Sequence, residues 1–503
     1  MVWKNKDNRG LRGGRGYFSG SIRQLHWHRP TCAVEELHQV AAIRTERRQP
    51  VKLDYFRVPT TPRSRIQKDG TLRSKPRNDA TTWKRRRYAN LERIVAVRLS
   101  VAGQTSARWS VRRRAFLKGA GVVTVAVLGG GVWRAYDEGV FSVGEGPAYE
   151  PWKNWRNTAN EGPLVLVRAA ILAASPHNTQ PWLFKVNDSS IQLQIDTQRN
   201  VGALDPYLRE EYIGMGCALE NLMLAALANG YVATVTLVPG ELGPIAAAPK
   251  TQLVARVDLA SGKREEGELY NAIPGRHTNR SPYDPHKPLP PDFVDAVGHL
   301  PGNEVDVKLF LFPAEVDRKK IAELSSAANT EIYSDIAVKQ GSERWIHTKW
   351  GSVQKYRDGL TIDAFGLSQT TAAIAKMMPV WMLERAASRV AKNSYADIML
   401  SAPLIGFIAV RNRYDQAQCL RAGRIWQRAH LLATARGVAA RPCNEAVELV
   451  DHERALSRPD SCAAQLNQIT GDPAWQPTFV FYMGYPTLSA QASPRRAVET
   501  VLV

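Results

Sequence analysis

Apolar and polar residues follow two different periods along the chain from about Pro163 onward. A 3.6-residue period predicts helices, and short apolar or alternating runs predict strands. The predicted helices are "LVLVRAAILAA" from Leu164, "GCALENLMLAALANG" from Gly216 and "GRIWQRAHLLATARG" from Gly423. The predicted strands begin at Trp182, Ile191, Tyr231, Val305, Ala402 and Pro477. Helices and strands mixed in this way indicate an α+β (α/β) fold.

One block of this pattern occurs twice. Residues 216–233 and 423–440 align at a constant offset of 207, which matches Gly216 with Gly423 and Gly230 with Gly437. Each block is a predicted buried helix that ends at a C-terminal glycine and continues into a strand-like run. Two degenerate halves of this kind are expected to pack as an intramolecular pseudo-dimer.

A long helical stretch, roughly residues 315–398, interrupts the second half. It contains the methionine-rich run "AKMMPVWMLERAA" from Ala375. Methionines and aromatic residues at helical spacing are more typical of a core or a packing surface than of a cofactor site. The stretch is long enough to serve as a lid, and it is interpreted as an insertion.

Charge separates the first 118 residues from the rest of the 503-residue chain. The formal net charge is +20, yet residues 1–118 alone hold 29 Lys and Arg against 8 Asp and Glu. The remainder is almost neutral, so it lacks the broad positive field that nucleic-acid binding requires. Residues 1–110 have the composition of a disordered basic leader, or of a segment upstream of the true translation start.

The leader is followed by "VRRRAFLKGAGVVTVAVLGGGVW" from Val111. Arg113 and Arg114 resemble the twin-arginine export motif, and the apolar run after them is too short and glycine-rich for a typical membrane span. Residues 111–135 are therefore a candidate export signal or anchor, with membrane association through 119–133. The alternative is a chance basic cluster before a buried helix. No clear cleavage site follows.

The five cysteines show neither the paired spacing of a zinc site nor that of a disulfide scaffold. No metal site is therefore expected.

The turn "SPHNTQPW", residues 175–182, concentrates polar side chains between two prolines. Prolines stiffen the backbone, so the amide and hydroxyl groups would be held for a ligand at low entropic cost. The alternative is a helix-terminating loop with Trp182 in the core. The candidate ligand-binding residues are Ser175, His177, Asn178 and Gln180.

Two arginine-containing segments could hold an anion. In "RHTNRSPYDP", an extended backbone would place Arg276, Thr278 and Arg280 on one face, where two guanidinium groups suit a phosphate. The C-terminal "SPRRAVE" adds Arg495 and Arg496. Arginines in loops and near chain ends are also common on solvated surfaces, and that alternative stays open for both segments.

Taken together, these motifs resemble the FMN-dependent nitroreductase family, in particular its fused two-half, Acg-type branch of exported flavoproteins. The resemblance covers about residues 145–503 and rests on "SPHNTQPW", "RHTNRSPYDP", the repeated blocks and "MGYPTLSAQASPRRAVE". It implies a nitroreductase-like fold with FMN as cofactor. It also implies domains at 145–270 and 271–503, the second with the insertion.

Family members bind FMN between two subunits, with basic residues from one and the polar turn from the other. Here the first half has the turn and the second has the arginine segments, so one composite FMN site is expected. The resemblance places Arg276, Thr278 and Arg280 near the phosphate and ribityl chain, with Arg495 or Arg496 assisting. It places the turn, and nearby the loop "RPCNE" of residues 441–445, toward the flavin ring.

The expected function is electron transfer between FMN and a small molecule, with the flavin supplying the chemistry. No catalytic side chain is required, although His177 could tune the flavin or donate a proton. The alternative is a non-catalytic protein that sequesters FMN beneath its lid. The expected location is the periplasm or cell envelope after twin-arginine export, with the cytoplasm as the alternative, and the expected state is a monomer.

Overall fold

The computed structural model describes residues 133–156, 161–379, 382 and 395–503, all within a unit that spans Arg108–Val503. The predicted leader, the arginines of the export motif and the apolar run after them lie outside the described residues. Residues 380, 381 and 383–394, near the end of the insertion, also lie outside the described residues, and they include most of the methionine-rich run. The export signal and the leader therefore stay predictions.

The first sheet consists of four antiparallel strands in the order β1-β2-β4-β3. Their bounds are β1 Trp182–Asn187, β2 Ser190–Asp196, β3 Tyr231–Leu237 and β4 Thr251–Ser261. Along β2, buried and half-buried side chains alternate, as in a strand that covers a core with one face. The predictions for β1, β2 and β3 are confirmed, whereas β4 was not predicted.

The second sheet has the same antiparallel arrangement, in the order β5-β8-β10-β9. The strands of this half are β5 Val307–Phe312, β6 Ile346–His347, β7 Leu360–Thr361, β8 Leu404–Val410, β9 Ala439–Pro442 and β10 Gln476–Gly484. β6 and β7 form a separate parallel pair. All seven residues of β8 are buried, which agrees with its continuous apolar sequence "LIGFIAV".

Helices connect the strands of both sheets. Those before the second sheet are α1 Glu150–Asn154, α2 Leu164–Ala170, α3 Arg209–Ala228, α4 Glu268–Ala272 and α5 Pro291–Gly298. Those of the second half are α6 Glu315–Ile332, α7 Ile336–Glu343, α8 Trp350–Tyr356, α9 Gln369–Met377, α10 Gln416–Ala435, α11 Glu445–Ala455 and α12 Ser461–Thr470. The insertion is thus helical over its described part, with a short parallel β pair inside it.

The two halves share one order of elements. In the first half, the edge strand β1 and the inner strand β2 precede the 20-residue helix α3, and β3, which follows α3, forms the opposite edge of the sheet. In the second half, β5, β8, the 20-residue helix α10 and β9 follow the same order. The second half differs by the insertion between β5 and β8 and by α11 and α12 between β9 and β10. The prediction of two degenerate halves in an α+β fold is confirmed.

α3 and α10 cross at their matched glycines. A Cβ on Gly216 would lie 2.1 Å from the carbonyl oxygen of Leu420, and one on Gly423 would lie 2.0 Å from that of Ile213. Ile213 and Leu420 also differ by 207 positions. The same contact therefore occurs twice with the partners exchanged, as at the interface of a symmetric dimer.

The C-terminal tail returns from the second half to the first. Phe184 of β1 accepts a backbone hydrogen bond from Val503 and donates one to Val501, so the tail extends the edge of the first sheet. This pairing carries Arg495 and Arg496 to the turn at residues 175–182. In the described part of the chain, no helix is long and apolar enough to cross a membrane.

Candidate functional site

The backbone of the turn adopts an unusual conformation. His177, Asn178 and Gln180 have φ values of 44°, 57° and 53°, in the left-handed region that residues with a Cβ disfavour. Ser175 stabilises the turn because its Oγ accepts a hydrogen bond from the Gln180 amide at 3.0 Å. Consecutive strained residues persist only where surrounding contacts enforce them, and they are frequent at functional sites.

The amide side chains of the turn bind the tail and the insertion. Asn178 Nδ2 donates to the carbonyl oxygens of Pro494 at 2.9 Å and Gly359 at 3.0 Å. Gln180 Nε2 donates to the carbonyl oxygen of Arg357 at 2.9 Å, and Gln180 Oε1 accepts from the Arg496 amide at 2.8 Å. The turn is therefore the point where the first half, the tail and the insertion meet.

We call residues 342–366 of the insertion the strap. Besides the contacts of Arg357 and Gly359, the Oγ of Ser342 lies 2.7 Å from Nε2 of His177. Burial, and then the charge of Arg280, lowers the pKa of His177 to about 4. The imidazole is therefore neutral at neutral pH, which favours a hydrogen-bonding role over proton donation by an imidazolium.

Two buried arginines lie beside the turn, and we call them the arginine cluster. Arg276 Nη2 donates to the carbonyl oxygen of Leu172 at 3.0 Å, and Arg495 Nη2 donates to that of Ala173 at 3.1 Å. Arg495 Nη1 also donates to Oδ1 of Asn178 at 2.5 Å. Each side chain is 2% exposed. The first half thus binds one arginine from each arginine segment of the second half.

No carboxylate among the described residues pairs with either arginine, and Nε of both is buried without a hydrogen-bond partner. Burial lowers the pKa of Arg276 to about 10, and burial together with the charge of Arg276 holds the pKa of Arg495 well below its usual value. A buried cation is costly unless an opposite charge accompanies it. The arginine cluster therefore has the geometry and charge to bind an anion.

Aromatic rings surround this cluster. Trp152 of α1 lies 4.6 Å from Cζ of Arg495 and packs edge-on against His277. His430 of α10 lies 3.4 Å from Nη1 of Arg276. Burial and the nearby arginines lower the pKa of His277 to about 3 and lower that of His430 as well, so both rings are neutral. These rings add no compensating negative charge.

The other predicted residues are close by but in different surroundings. Arg280 donates to the carbonyl oxygen of Ala364 in the strap. Burial, and then the charge of Arg441 in the "RPCNE" loop, lowers the pKa of Arg280 to about 10. Arg496 donates to the carbonyl oxygens of Gln180 and Thr500 rather than joining Arg495. Thr278 is half-buried between Arg276 and Arg280.

A second buried group of charges, which we call the carboxyl cluster, was not predicted. It contains Arg209 and five acidic residues: Asp205, Glu210, Glu211, Glu448 and Asp451. Arg209 Nε donates to Asp451 at 2.7 Å. Burial raises the pKa of Asp205 to about 6 and that of Glu210 to about 7. Four members lie within residues 205–211, but Glu448 and Asp451 come from α11 in the second half, and no local sequence signal indicates that the two groups meet.

The described residues do not support catalysis by a cysteine nucleophile or by a metal ion. Cys217, Cys419, Cys443 and Cys462 are unpaired and buried, and burial raises the pKa of each thiol, so none is an activated nucleophile. Within residues 133–156, 161–379 and 395–503, no group of three His, Cys, Asp or Glu side chains could hold a metal ion. Binding of an anionic ligand is what the site supports best.

Comparison with known sequences gives partial matches. No protein-family model matches the chain. The chain is 34% identical over 79 residues to acg of Mycobacterium tuberculosis, which carries the provisional name of an NAD(P)H nitroreductase. It is 31% identical over 124 residues to a second protein of that organism with the same provisional name. The matches span 16% and 24% of this chain, and only 24% and 33% of the two relatives.

Solved structures give weaker likenesses. The FMN-dependent nitroreductase NfnB from Mycobacterium smegmatis, solved with NADPH, aligns with 46% of this chain and 96% of its own at 18% identity and a TM-score of 0.30. A nitroreductase with bound FMN from Bacteroides fragilis aligns with 46% and 95% at 14% identity and a TM-score of 0.27. By sequence, and over part of its length, the chain is similar to mycobacterial proteins named as NAD(P)H nitroreductases.

Proposed function

We propose that the protein is an FMN-dependent oxidoreductase of nitroreductase type with one composite flavin site. The observation that carries the proposal is the arginine cluster, in which Arg276 and Arg495 are buried without an acidic partner. The phosphate of FMN is a doubly charged acceptor that suits two guanidinium groups with free Nε–H donors. The residues present therefore fit this cofactor.

The other predicted residues receive roles from their positions. Thr278 and Arg280 continue from the arginine cluster toward His177, and we assign them to the ribityl and ring portions of the cofactor. Ser175, His177, Asn178 and Gln180 shape the turn on the side of the first half, and Arg496 fixes Gln180. When bound, the flavin supplies hydride transfer, and the protein supplies position and polarity.

The chain's own residues exclude water and set the local charge. The strap covers the turn through Ser342, Arg357 and Gly359. Neutral His177 holds a hydrogen bond without adding charge, whereas Arg280 provides a fixed positive charge near it. A fixed positive charge in a water-poor site stabilises electron-rich groups.

A visible spectrum of the purified full chain tests cofactor binding. We expect flavin absorption and about one FMN per chain, since only one pairing of turn and arginine segments exists in the sequence. Colourless protein that binds no added FMN would refute the proposal. Because the curated relatives are named for NAD(P)H, anaerobic NADPH is the first donor to test for bleaching of the flavin.

Sequestration of FMN without turnover is the second candidate function. The bonds from the strap to His177, Asn178 and Gln180 favour it, because a closed cover would keep substrates out. Flavin that dithionite reduces but NADPH does not would support this candidate. Bleaching by NADPH, followed by reoxidation with a nitroaromatic acceptor, would support the enzyme.

We further propose that the protein belongs to the fused Acg-type branch, arose by internal duplication and acts as a monomer in the cell envelope. The symmetric contact of α3 and α10 supports the duplication, and the sequence at Arg113 and Arg114 supports twin-arginine export. Replacing both arginines by lysine should retain the protein in the cytoplasm. Unchanged export of that variant would exclude this route and favour the alternative location or another signal.

A further inference from the structure

Arg280 and Arg441 form a second pair of neighbouring arginines, which we call the outer arginines. The backbone amide of Asn279 donates to the carbonyl oxygen of Ala440 at 3.3 Å, so each outer arginine is the residue that follows one partner of this hydrogen bond. Burial, and then the charge of Arg441, lowers the pKa of Arg280. Both residues are half-buried. Two cations therefore lie side by side at β9, an edge strand of the second sheet.

Most hydrogen-bond donors of the outer arginines are not used by the protein. The Cζ of Arg441 lies 5.7 Å from the centre of the Tyr482 ring, and among the described residues its guanidinium group makes no hydrogen bond and no ion pair. Arg280 donates from Nη1 to the carbonyl oxygen of Ala364 in the strap at 3.1 Å. A guanidinium group has five N–H donors, so the remaining donors are available to a ligand.

One acid offsets part of this positive charge. The neighbouring Tyr482, Tyr395 and Glu445 outweigh the effect of burial and raise the pKa of Arg441 above its usual value. Burial raises the pKa of both phenols, so they are neutral. The Oε2 atom of Glu445 is buried without a hydrogen-bond partner. Two arginines and one carboxylate leave an excess of one positive charge, which suits a ligand with a single negative charge.

The outer arginines adjoin the polar turn and the strap. After burial, the charge of Arg280 is the cause of the lowered pKa of His177. The strap packs directly on the same arginine, because a Cβ on Gly366 would lie 2.3 Å from the carbonyl carbon of Arg280. The proposed function assigns His177 and Arg280 to the ring end of the composite flavin site. A ligand held by Arg441 would therefore lie next to that end of the site.

We propose that the outer arginines bind the carboxylate of the small-molecule substrate, with Arg441 as the direct contact and Arg280 as a neighbouring positive charge. This inference rests on the proposed flavin function and adds a substrate class to it, namely small organic monocarboxylates. A carboxylate is favoured because its two oxygens match the planar guanidinium fork. Arg441 positions the substrate in this account, and no side chain reacts with it.

The affinities of two matched probes for the FMN-loaded, oxidised full chain test this proposal. 4-Nitrobenzoate and 4-nitrobenzyl alcohol share the ring and the nitro group and differ in the carboxylate. Titration calorimetry without an electron donor measures binding of each probe. We expect the wild type to bind 4-nitrobenzoate about 10- to 100-fold more tightly, the range for hydrogen bonds to a charged group. Arg441→Met should abolish this preference and leave the affinity for the alcohol unchanged.

Arg411→Met is the matched control. Arg411 also packs on an aromatic ring, with its Cζ 3.6 Å from the centre of the Trp475 ring. It follows Val410, which pairs with Gln476 at the start of β10, whereas Arg441 pairs with Tyr482 about 20 Å further along that strand. This control removes the same kind of side chain away from Arg280, so it should keep the wild-type preference.

A second variant changes the affinity in the opposite direction and does not depend on whether Arg441→Met folds. Glu445→Gln removes the carboxylate that competes with the ligand for the positive charge of Arg441. It should bind 4-nitrobenzoate several-fold more tightly than the wild type does, with no change for the alcohol.

The proposal is overturned if the wild type binds both probes equally or binds neither, if Arg441→Met keeps the preference, or if Glu445→Gln does not strengthen it. Release of FMN by 4-nitrobenzoate would also overturn it, because the carboxylate would then occupy the arginine cluster. A chain that binds no FMN would refute both this inference and the proposed function. An FMN-loaded chain without the carboxylate preference would refute this inference alone.

Discussion

The arginine cluster and the carboxyl cluster are both buried, and both join the first half to the second. The carboxyl cluster contains five acids and only Arg209 as a base, and burial raises the pKa of Glu210 to about 7. In the arginine cluster, Arg276 and Arg495 have no acid beside them among the described residues. The carboxyl cluster therefore has more acidic than basic side chains, whereas the arginine cluster has basic side chains without an acidic partner.

The cost of burying unpaired charge can be offset in different ways in the two clusters. A buried carboxylate can take up a proton and become neutral, so the carboxyl cluster needs nothing from outside the protein. A guanidinium group holds its proton at any physiological pH, even with its pKa lowered to about 10. Only a bound anion would offset the cost of burying these charges, and this asymmetry is the reason we propose the arginine cluster as the ligand site.

The largest effect is expected from removing both arginines. We predict that Arg276→Met with Arg495→Met weakens FMN binding by a factor of about 10² to 10⁴, because two charge-assisted contacts disappear. Equilibrium titration with FMN, followed by flavin fluorescence, measures the loss. Arg458→Ala, which changes an exposed arginine in the loop after α11, serves as the control and should bind FMN normally.

The same substitution should act oppositely in the two clusters. Arg209→Met removes the partner of buried Asp451 and should lower the free energy of unfolding by about 3–5 kcal/mol. Arg276→Met removes an unpaired charge and should leave FMN-free protein unchanged, or stabilise it by about 1–3 kcal/mol. Urea unfolding of FMN-free samples compares them. A loss of equal size in both variants would contradict the distinction between the clusters.

The carboxyl cluster should also determine how stability depends on pH. Burial raises the pKa of Glu210 above its unfolded value, so the stability it contributes is present at low pH and is lost as pH rises through about 7. Asp205 and Asp451 oppose its ionisation, whereas Arg209 and a hydrogen bond with Glu448 favour it. Glu210→Gln should therefore gain about 1–3 kcal/mol over the wild type between pH 5 and pH 8. If the free energies of unfolding of the variant and the wild type changed with pH in the same way, a protonated Glu210 would be excluded.

The smallest effect concerns the strap that covers the turn beside the arginine cluster. Ser342→Ala removes one hydrogen bond to His177 and should destabilise the closed strap by about 1 kcal/mol. We expect FMN to dissociate several-fold faster, as measured by stopped-flow fluorescence. Ser189→Ala, in the exposed turn between β1 and β2, should leave the rate unchanged, and an equal rate for both variants would exclude a role for this contact.

Periodicity predicted much of the fold because strongly apolar elements keep their pattern. The helices with matched glycines and most sheet strands lie where the sequence indicates. β4 was not predicted: its pairing with β2 contains a register shift between Leu193 and Gln194, and its ends are exposed, which weakens the alternation. Its identity as a strand depends on its partners in the sheet rather than on its own residues.

The contacts at the candidate site were predicted in part. The motifs indicated which segments meet, and the structure brings Arg276, Arg495 and Asn178 together. They did not indicate that Arg496 turns toward Gln180, that Trp152 covers Arg495 or that Arg209 pairs with Asp451. Those contacts join residues hundreds of positions apart, and their geometry follows from the packing of the halves, which no local pattern encodes.

Comparison of FMN with riboflavin tests the central claim most directly, since the two ligands differ only by the phosphate. We predict that the wild-type chain binds FMN at least about 100-fold more tightly than riboflavin, as expected for a dianion held by two buried arginines. In the chain with Arg276→Met and Arg495→Met, this preference should fall to a few-fold. Equal affinities in the wild type, or an unchanged preference in the variant, would show that the arginine cluster does not bind the phosphate.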